Sequence, residues 1–215
     1  MEIAILVLLG ITSIISLTFI IERGLALREA KITPAQVENA VQAIRQPEET
    51  ATLKAACQYH PSTLSRLAIF VLERSQWTKE DLVDALQIRA RHELARLERG
   101  LVFLEIATGI APLLGLTGTV YGMIALFGDI GSAGLGDNTA FARGIAIALK
   151  ATLMGLLVAI PSLVAWSYYT KRVEHFTVEL EIICDELVRK LYPTETTTAS
   201  QPSGTRSNQP AAKAH

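Results

Sequence analysis

The sequence predicts an all-α membrane protein: three transmembrane helices with long cytoplasmic helical extensions. Three observations predict it. Hydrophobic residues make up 50% of the chain and charged ones 19%, for a mean hydropathy of +0.32, and the two classes are segregated. The apolar residues gather in three blocks, and the charges cluster in residues 22–100 and 171–190. Lys and Arg flank those blocks on one side only. Within the charged segments, apolar side chains recur at helical spacing.

The first span covers residues 1–21, whose Ile3–Ile21 run (IAILVLLGITSIISLTFII) has no charge. About 20 such residues cross a hydrocarbon core, so the run is just long enough. A signal peptide would show a basic leader, a shorter apolar run and a small-residue cleavage pattern. Here Glu2 precedes the run and Glu22-Arg23 ends it, so it reads as a retained helix. The second span is 101–127, interrupted only by Glu105. A connection follows at 128–139, and the third span is 140–170, with Arg143 near its start and Lys150 inside it. Both exceed the usual spanning length, which implies tilt or projection beyond the bilayer.

Orientation follows from the basic residues. Arg23, Arg28 and Lys31 follow the first span. Arg89, Arg91, Arg96 and Arg99 precede the second, and Lys171-Arg172 follow the third. The 128–139 connection (GDIGSAGLGDNT) holds two aspartates and no Lys or Arg. It is therefore placed outside together with the N-terminus, with 22–100 and the C-terminus in the cytoplasm.

In the 22–100 segment, Thr33-Pro34 reads as N-cap and first helical residue, opening a stretch with Val37, Val41 and Ile44 that Pro47 ends. A second helix begins at His60-Pro61-Ser62, with Leu64, Leu67, Ala68 and Val71 as its stripe. A third begins at Thr78-x-x-Asp81, a capping-box pattern with Asp for Glu. Its stripe of Leu82, Leu86, Leu94 and Leu97 runs toward Gly100 without a proline, so one rod is expected to continue into the second span. Residues 171–192 continue the third span as a cytoplasmic helix, with Val173, Phe176, Leu180, Ile183, Leu187 and Leu191 on one side. The rods should pack as a bundle, their charged faces solvated. Residues 193–215, rich in Thr, Ser, Pro, Ala, Gln and Gly, read as disordered.

Several function classes are excluded. A net charge of −1 and no basic patch interleaved with aromatics argue against nucleic acid. Cys57 and Cys184 lie far apart in segments placed in a reducing compartment, suggesting neither disulfide nor metal knuckle. His60, His92, His175 and His215 lack metal-ligand spacing. No nucleophile elbow, P-loop or dinucleotide fingerprint is present, so no cofactor and no enzyme are expected.

The second and third blocks carry chemistry. Gly115, Gly118 and Gly122 let a neighbouring helix approach closely, and Gly155 repeats the theme on the third span. Pro112 and Pro161 each remove a helical hydrogen bond. Thr117 and Thr119 point about 200° apart on a helix, so at most one can face a shared cavity. The plain reading of any membrane threonine is a hydroxyl bonded to its own preceding turn.

Gly109–Phe127 (GIAPLLGLTGTVYGMIALF) followed by Gly144–Pro161 (GIAIALKATLMGLLVAIP) resembles the paired motif of the MotA/TolQ/ExbB proton channel family. Three spans with a large segment between the first two resemble its ExbB/TolQ branch. The resemblance implies a homopentamer whose second and third helices surround a lumen. That lumen would hold the helix of an ExbD/TolR-like single-span partner bearing a proton-binding aspartate. Such complexes drive envelope transport or maintenance with the proton gradient, acting through a TonB/TolA-like periplasm-spanning protein. The family's lumen threonines match Thr119 and Thr152. One departure is plain: the glutamate usual on the third helix is replaced by Ile147, and Lys150 stands three residues on, on the same face. A lysine there must snorkel or pair. Its candidate partners are a carboxylate of the partner helix, Asp129 or Asp137, Glu105 being at the wrong end. Ile147 keeps open the alternative of a non-conducting pentameric scaffold.

Overall fold

A computed structural model describes residues 2–45, 50–133 and 138–193. Pro47, Asp137 and the tail from 194 lie outside the described residues. Among those described, eight helices follow in order: α1 Glu2–Ala26, α2 Glu29–Ile32, α3 Ala35–Ala43, α4 Thr50–Tyr59, α5 Thr63–Glu73, α6 Lys79–Glu98, α7 Leu101–Ala133 and α8 Asn138–Leu191.

Three of these hold segments long and apolar enough to cross a membrane: Ala4–Ala26, Leu101–Gly128 and Phe141–Leu191. Their large apolar side chains point outward, among them Ile14, Leu113, Ile124 and Leu157. That is the reverse of a water-soluble helix and suits a lipid surround. This is a membrane protein. At 54 residues, α8 extends about 80 Å, well over twice a hydrocarbon core of about 30 Å. Its far half must leave the bilayer.

That far half is the spine of an extramembrane module. Val173, Phe176, Leu180, Ile183 and Leu187 of α8 are buried against Val37, Val41, Leu64, Leu67, Ala68, Val71, Leu82 and Leu86 of α3, α5 and α6. Leu53 and Cys57 of α4, a helix no sequence pattern announced, join the same core. The end of α8 is tied down by polar contacts. Lys190 Nζ donates to the carbonyls of Val41 and Gln42 at 3.0 and 2.7 Å, capping the end of α3.

Local rules account for most of the boundaries. Ser62 N-caps α5, its hydroxyl accepting from Ser65 N–H at 3.0 Å, and Thr78 caps α6 through Asp81 N–H at 3.2 Å. Asp81 completes no reciprocal backbone bond; it accepts from the Thr78 hydroxyl at 2.7 Å. At α3 the expectation fails by one residue. Pro34 is the N-cap, and Thr33 closes α2 with its hydroxyl buried and unpartnered.

The continuous rod from Thr78 is also corrected, because Arg99 and Gly100 interrupt it. Arg23 of α1 lies against Gly100 where a side chain would stand. Its Nη1 donates to the Leu97 carbonyl at 3.2 Å. A tertiary cation thus takes a bond that an unbroken helix would make internally.

Candidate functional site

The α7–α8 hairpin is joined through small residues in antiparallel register. Gly115 lies against Gly155, Gly118 against Ala151, Gly122 against Ala148, and Leu126 against Gly144. A methyl group added to Gly155 would stand 2.6 Å from the Ala111 carbonyl oxygen and 3.1 Å from Gly115 Cα. One added to Gly115 would stand 2.9 Å from the Ala151 oxygen. Around Gly115 and Gly155 the two backbones therefore touch, and further along the hairpin the Ala151, Ala148 and Leu126 side chains fill the contact. Pro112 and Pro161 sit inside α7 and α8 without ending either helix.

α1 packs across both helices. Leu9, Ala111 and Ala159 form a small buried cluster. The buried hydroxyls of Ser16 and Ser162 hydrogen-bond to each other, and Tyr169 OH donates to the Ile20 carbonyl at 2.9 Å. Phe19 stacks on Phe103 with ring centroids 4.4 Å apart.

The register sets Thr119 and Thr152 at nearly one depth, within about 3 Å along the helix axes. Thr119 Oγ1 donates to its own turn, at Leu116 O, 2.7 Å away. Thr152 Oγ1 reaches across the hairpin to Gly115 O at 3.3 Å. Both are half-buried, whereas Thr117, bonded to Leu113 O at 2.8 Å, is exposed. A hydroxyl that gives its proton to a carbonyl keeps its lone pairs, so each can still accept from water.

Lys150 lies level with Thr119, on the side of α8 turned about 200° away from Thr152 and so away from α7. It is exposed, shares its face with Ile147 (48% exposed) and Met154, and makes no ion pair among the described residues. Asp137 and the Asp129 side chain lie outside the described residues. Glu105 is fourteen helical residues from the level of Lys150 on α7, about 21 Å.

The extramembrane module holds a polar site that the stripe reading passed over. The Glu93 side chain is fully buried, with Arg66 at 2.8 Å, Arg89 at 3.2 Å and Arg96 at 3.8 Å. Its spacing of seven from Leu86 was the available signal: a charge standing on an apolar stripe. Both cysteines are buried and free. Burial, and secondarily the Glu181 charge, push the Cys184 thiol up to about 12, leaving it protonated and inert near neutrality. Among the described residues no group of His, Cys, Asp and Glu could hold a metal ion.

The profile of the MotA/TolQ/ExbB proton channel family matches residues 43–182, from the end of α3 through most of α8. The chain belongs to this family. The ExbB-like 2 biopolymer transport protein of Helicobacter pylori is 38% identical over 120 residues, 55% of this chain and 79% of the relative. An ExbB-like 1 protein of Synechocystis is 30% identical over 190 residues, 81% and 73% of the two chains. The Tol-Pal system protein TolQ of Pseudomonas aeruginosa is 32% identical over 107 residues, 50% and 46%. These relatives place the chain in the ExbB/TolQ branch. As a MotA/TolQ/ExbB protein it is a membrane subunit of the proton-channel, energy-transducing type, in a family of transport proteins rather than enzymes.

Proposed function

We propose that the chain is an inner-membrane subunit that passes protons along a lumen lined by Thr119 and Thr152. It works as a homopentamer around an ExbD/TolR-like single-span partner and energises envelope transport or maintenance, with a TonB/TolA-like protein as the periplasmic transmitter. The N-terminus is periplasmic. The extramembrane module, flanked by Arg23, Arg28, Lys171 and Arg172, is cytoplasmic. One observation carries the reading. The closely packed hairpin, joined largely through glycine and alanine, holds two hydroxyls at one depth with acceptor capacity to spare. Hydroxyls order a short water chain and add no fixed charge to trap a proton.

A second reading is favoured by Ile147. Without the glutamate usual at that position, the chain would be a pentameric scaffold that conducts nothing. Co-reconstitution with the single-span partner in vesicles separates the two. Wild-type complex should carry proton flux, and Thr119→Val or Thr152→Val should each lower it about tenfold, the weight of one hydrogen bond of about 1.4 kcal/mol. Unchanged flux in both variants would remove the threonines from the pathway. Proton-tight wild-type vesicles would establish the scaffold.

A further inference from the structure

The α7–α8 hairpin has two broad faces, and α1 covers one of them. Ile5 of α1 lies beside Gly118, Leu9 is buried with Ala111 and Ala159, and Phe19 stacks on Phe103. Measured around α7 from Gly115, which faces α8, Gly118 and Phe103 stand about 60° and 120° in one sense. Thr119 and Glu105 stand about 40° and 80° in the other. Glu105 is therefore on the threonine face, away from α1. Fourteen residues separate it from Thr119, close to four helical turns, so the two share one column about 21 Å long. Thr108 and Pro112 occupy that column between them. The Thr108 hydroxyl donates to the Glu105 carbonyl at 2.7 Å, and the Thr108 carbonyl has no helical donor, because Pro112 carries no N–H. On α8, Thr152 and Thr170 are eighteen residues apart, five full turns, and so stand on one line. That line is turned away from Tyr169, whose hydroxyl bonds to α1.

The Glu105 side chain is exposed, four residues inside the span that begins at Leu101, and forms no ion pair among the described residues. Between Leu101 and Gly128 and between Phe141 and Thr170 it is the only Asp or Glu. We propose that Glu105 is the proton-exchanging group at the cytoplasmic mouth of the threonine-lined path, an assignment that rests on that path. A carboxylate inside a span is costly in hydrocarbon and is kept where it faces water, which is how proton relays are built. The unbonded Thr108 carbonyl and the threonine hydroxyls give water in the column its partners. The cycle balances. The ionised carboxylate takes a proton from a hydronium arriving along the column, forming an O–H bond. The carboxylic acid then gives that proton to cytoplasmic water, and the carboxylate is restored with nothing oxidised or reduced. Hydroxyls cannot fill this role: they pass a proton on only by releasing another at once, whereas a carboxyl group holds one between arrivals.

Proton flux through the full-length chain, co-reconstituted with its single-span partner, tests the assignment. Glu105→Gln, Glu105→Asp and Thr119→Val are measured beside wild type. Glu105→Gln should lower flux about tenfold, less than a proton-transfer group in a closed site contributes, because water reaches the mouth. Glu105→Asp, which keeps an exchangeable proton, should retain most of the flux. Complex mass and partner content are measured in parallel and should match wild type in all variants. Wild-type flux in Glu105→Gln with Thr119→Val impaired overturns the mouth assignment and leaves the threonine path standing; Glu105 then only reaches the headgroups. Proton-tight wild-type vesicles overturn both. Equal losses in Glu105→Gln and Glu105→Asp, or loss of the partner from either, show a structural role and overturn the assignment alone.

Discussion

Glu93 occupies the position on α6 where the Leu82–Leu86 stripe would next place an apolar side chain, and its carboxylate faces three guanidiniums instead. Arg66 belongs to α5, so the carboxylate pins one helix to the next as well as bracing its own. Arg66 Nε also donates to Oε2 at 2.8 Å, a charge-assisted bond of the stronger kind. Glu93→Gln would leave three cations around a neutral amide. Stripping one partner from a buried pair removes about 3–5 kcal/mol. The arginine side chains are 39–55% exposed here, and water screens what remains, so a loss of roughly 1–3 kcal/mol is expected. Thermal unfolding in detergent should show a lower midpoint for Glu93→Gln and a smaller drop for Arg96→Gln, whose guanidinium is the most distant. Equal midpoints for wild type and both variants would show the cluster to be idle. Sequence reading singled out Thr119 and Thr152 because a family motif surrounds them, but it could not say that Thr152 bonds across the hairpin. That partner is 37 residues away, and local spacing carries no trace of it. Glu93 was legible in principle, as a charge on an apolar face.

At the scale of elements, the hairpin makes a prediction that separates its glycines by what faces them. A methyl on Gly155 meets the Ala111 carbonyl oxygen at 2.6 Å, and backbone cannot swing aside. A methyl on Gly144 meets only the Leu126 Cδ1 tip at 2.5 Å, and nothing lies within 4 Å of Gly109 or Gly128. Gly155→Ala should therefore force the helices apart and lower stability by about 1–3 kcal/mol. Gly144→Ala should be milder because a leucine rotamer can yield, and Gly109→Ala should be neutral or stabilising by up to about 1 kcal/mol. Melting midpoints of the three purified variants test this order; Gly155→Ala melting like Gly109→Ala would contradict the backbone contact. The small-residue spacing on α7 was visible in the sequence. Which small residue of α8 it meets was not, because register depends on where the two helices turn back. The break at Arg99–Gly100 was hidden for a related reason: its cause is Arg23, a residue on another helix. The helix α4 escaped notice because its buried face amounts to Leu53 and Cys57, too few positions to define a period.

At the scale of the whole molecule, Lys150 stands exposed on the working helices and makes no ion pair among the described residues. Glu22 and Glu105 stand at the far ends of their spans, at the level of the extramembrane module. An unpaired ammonium at that depth costs a few kcal/mol, so Lys150 must either snorkel toward the outer interface or meet an acidic group. Its direction, away from α7 and on the Ile147 face, leaves it open to either. The proposed single-span partner offers the second, since a carboxylate in its helix would neutralise Lys150 and gain a charge-assisted bond. Under that arrangement Lys150→Met should reduce partner retained per subunit about tenfold on co-purification, the weight of about 1.4 kcal/mol. Lys150→Arg, which keeps the charge, should retain most of it. Snorkelling predicts the opposite for the methionine variant. An apolar side chain removes the need to reach water, so partner retention would match wild type, and the lysine would have no part in assembly.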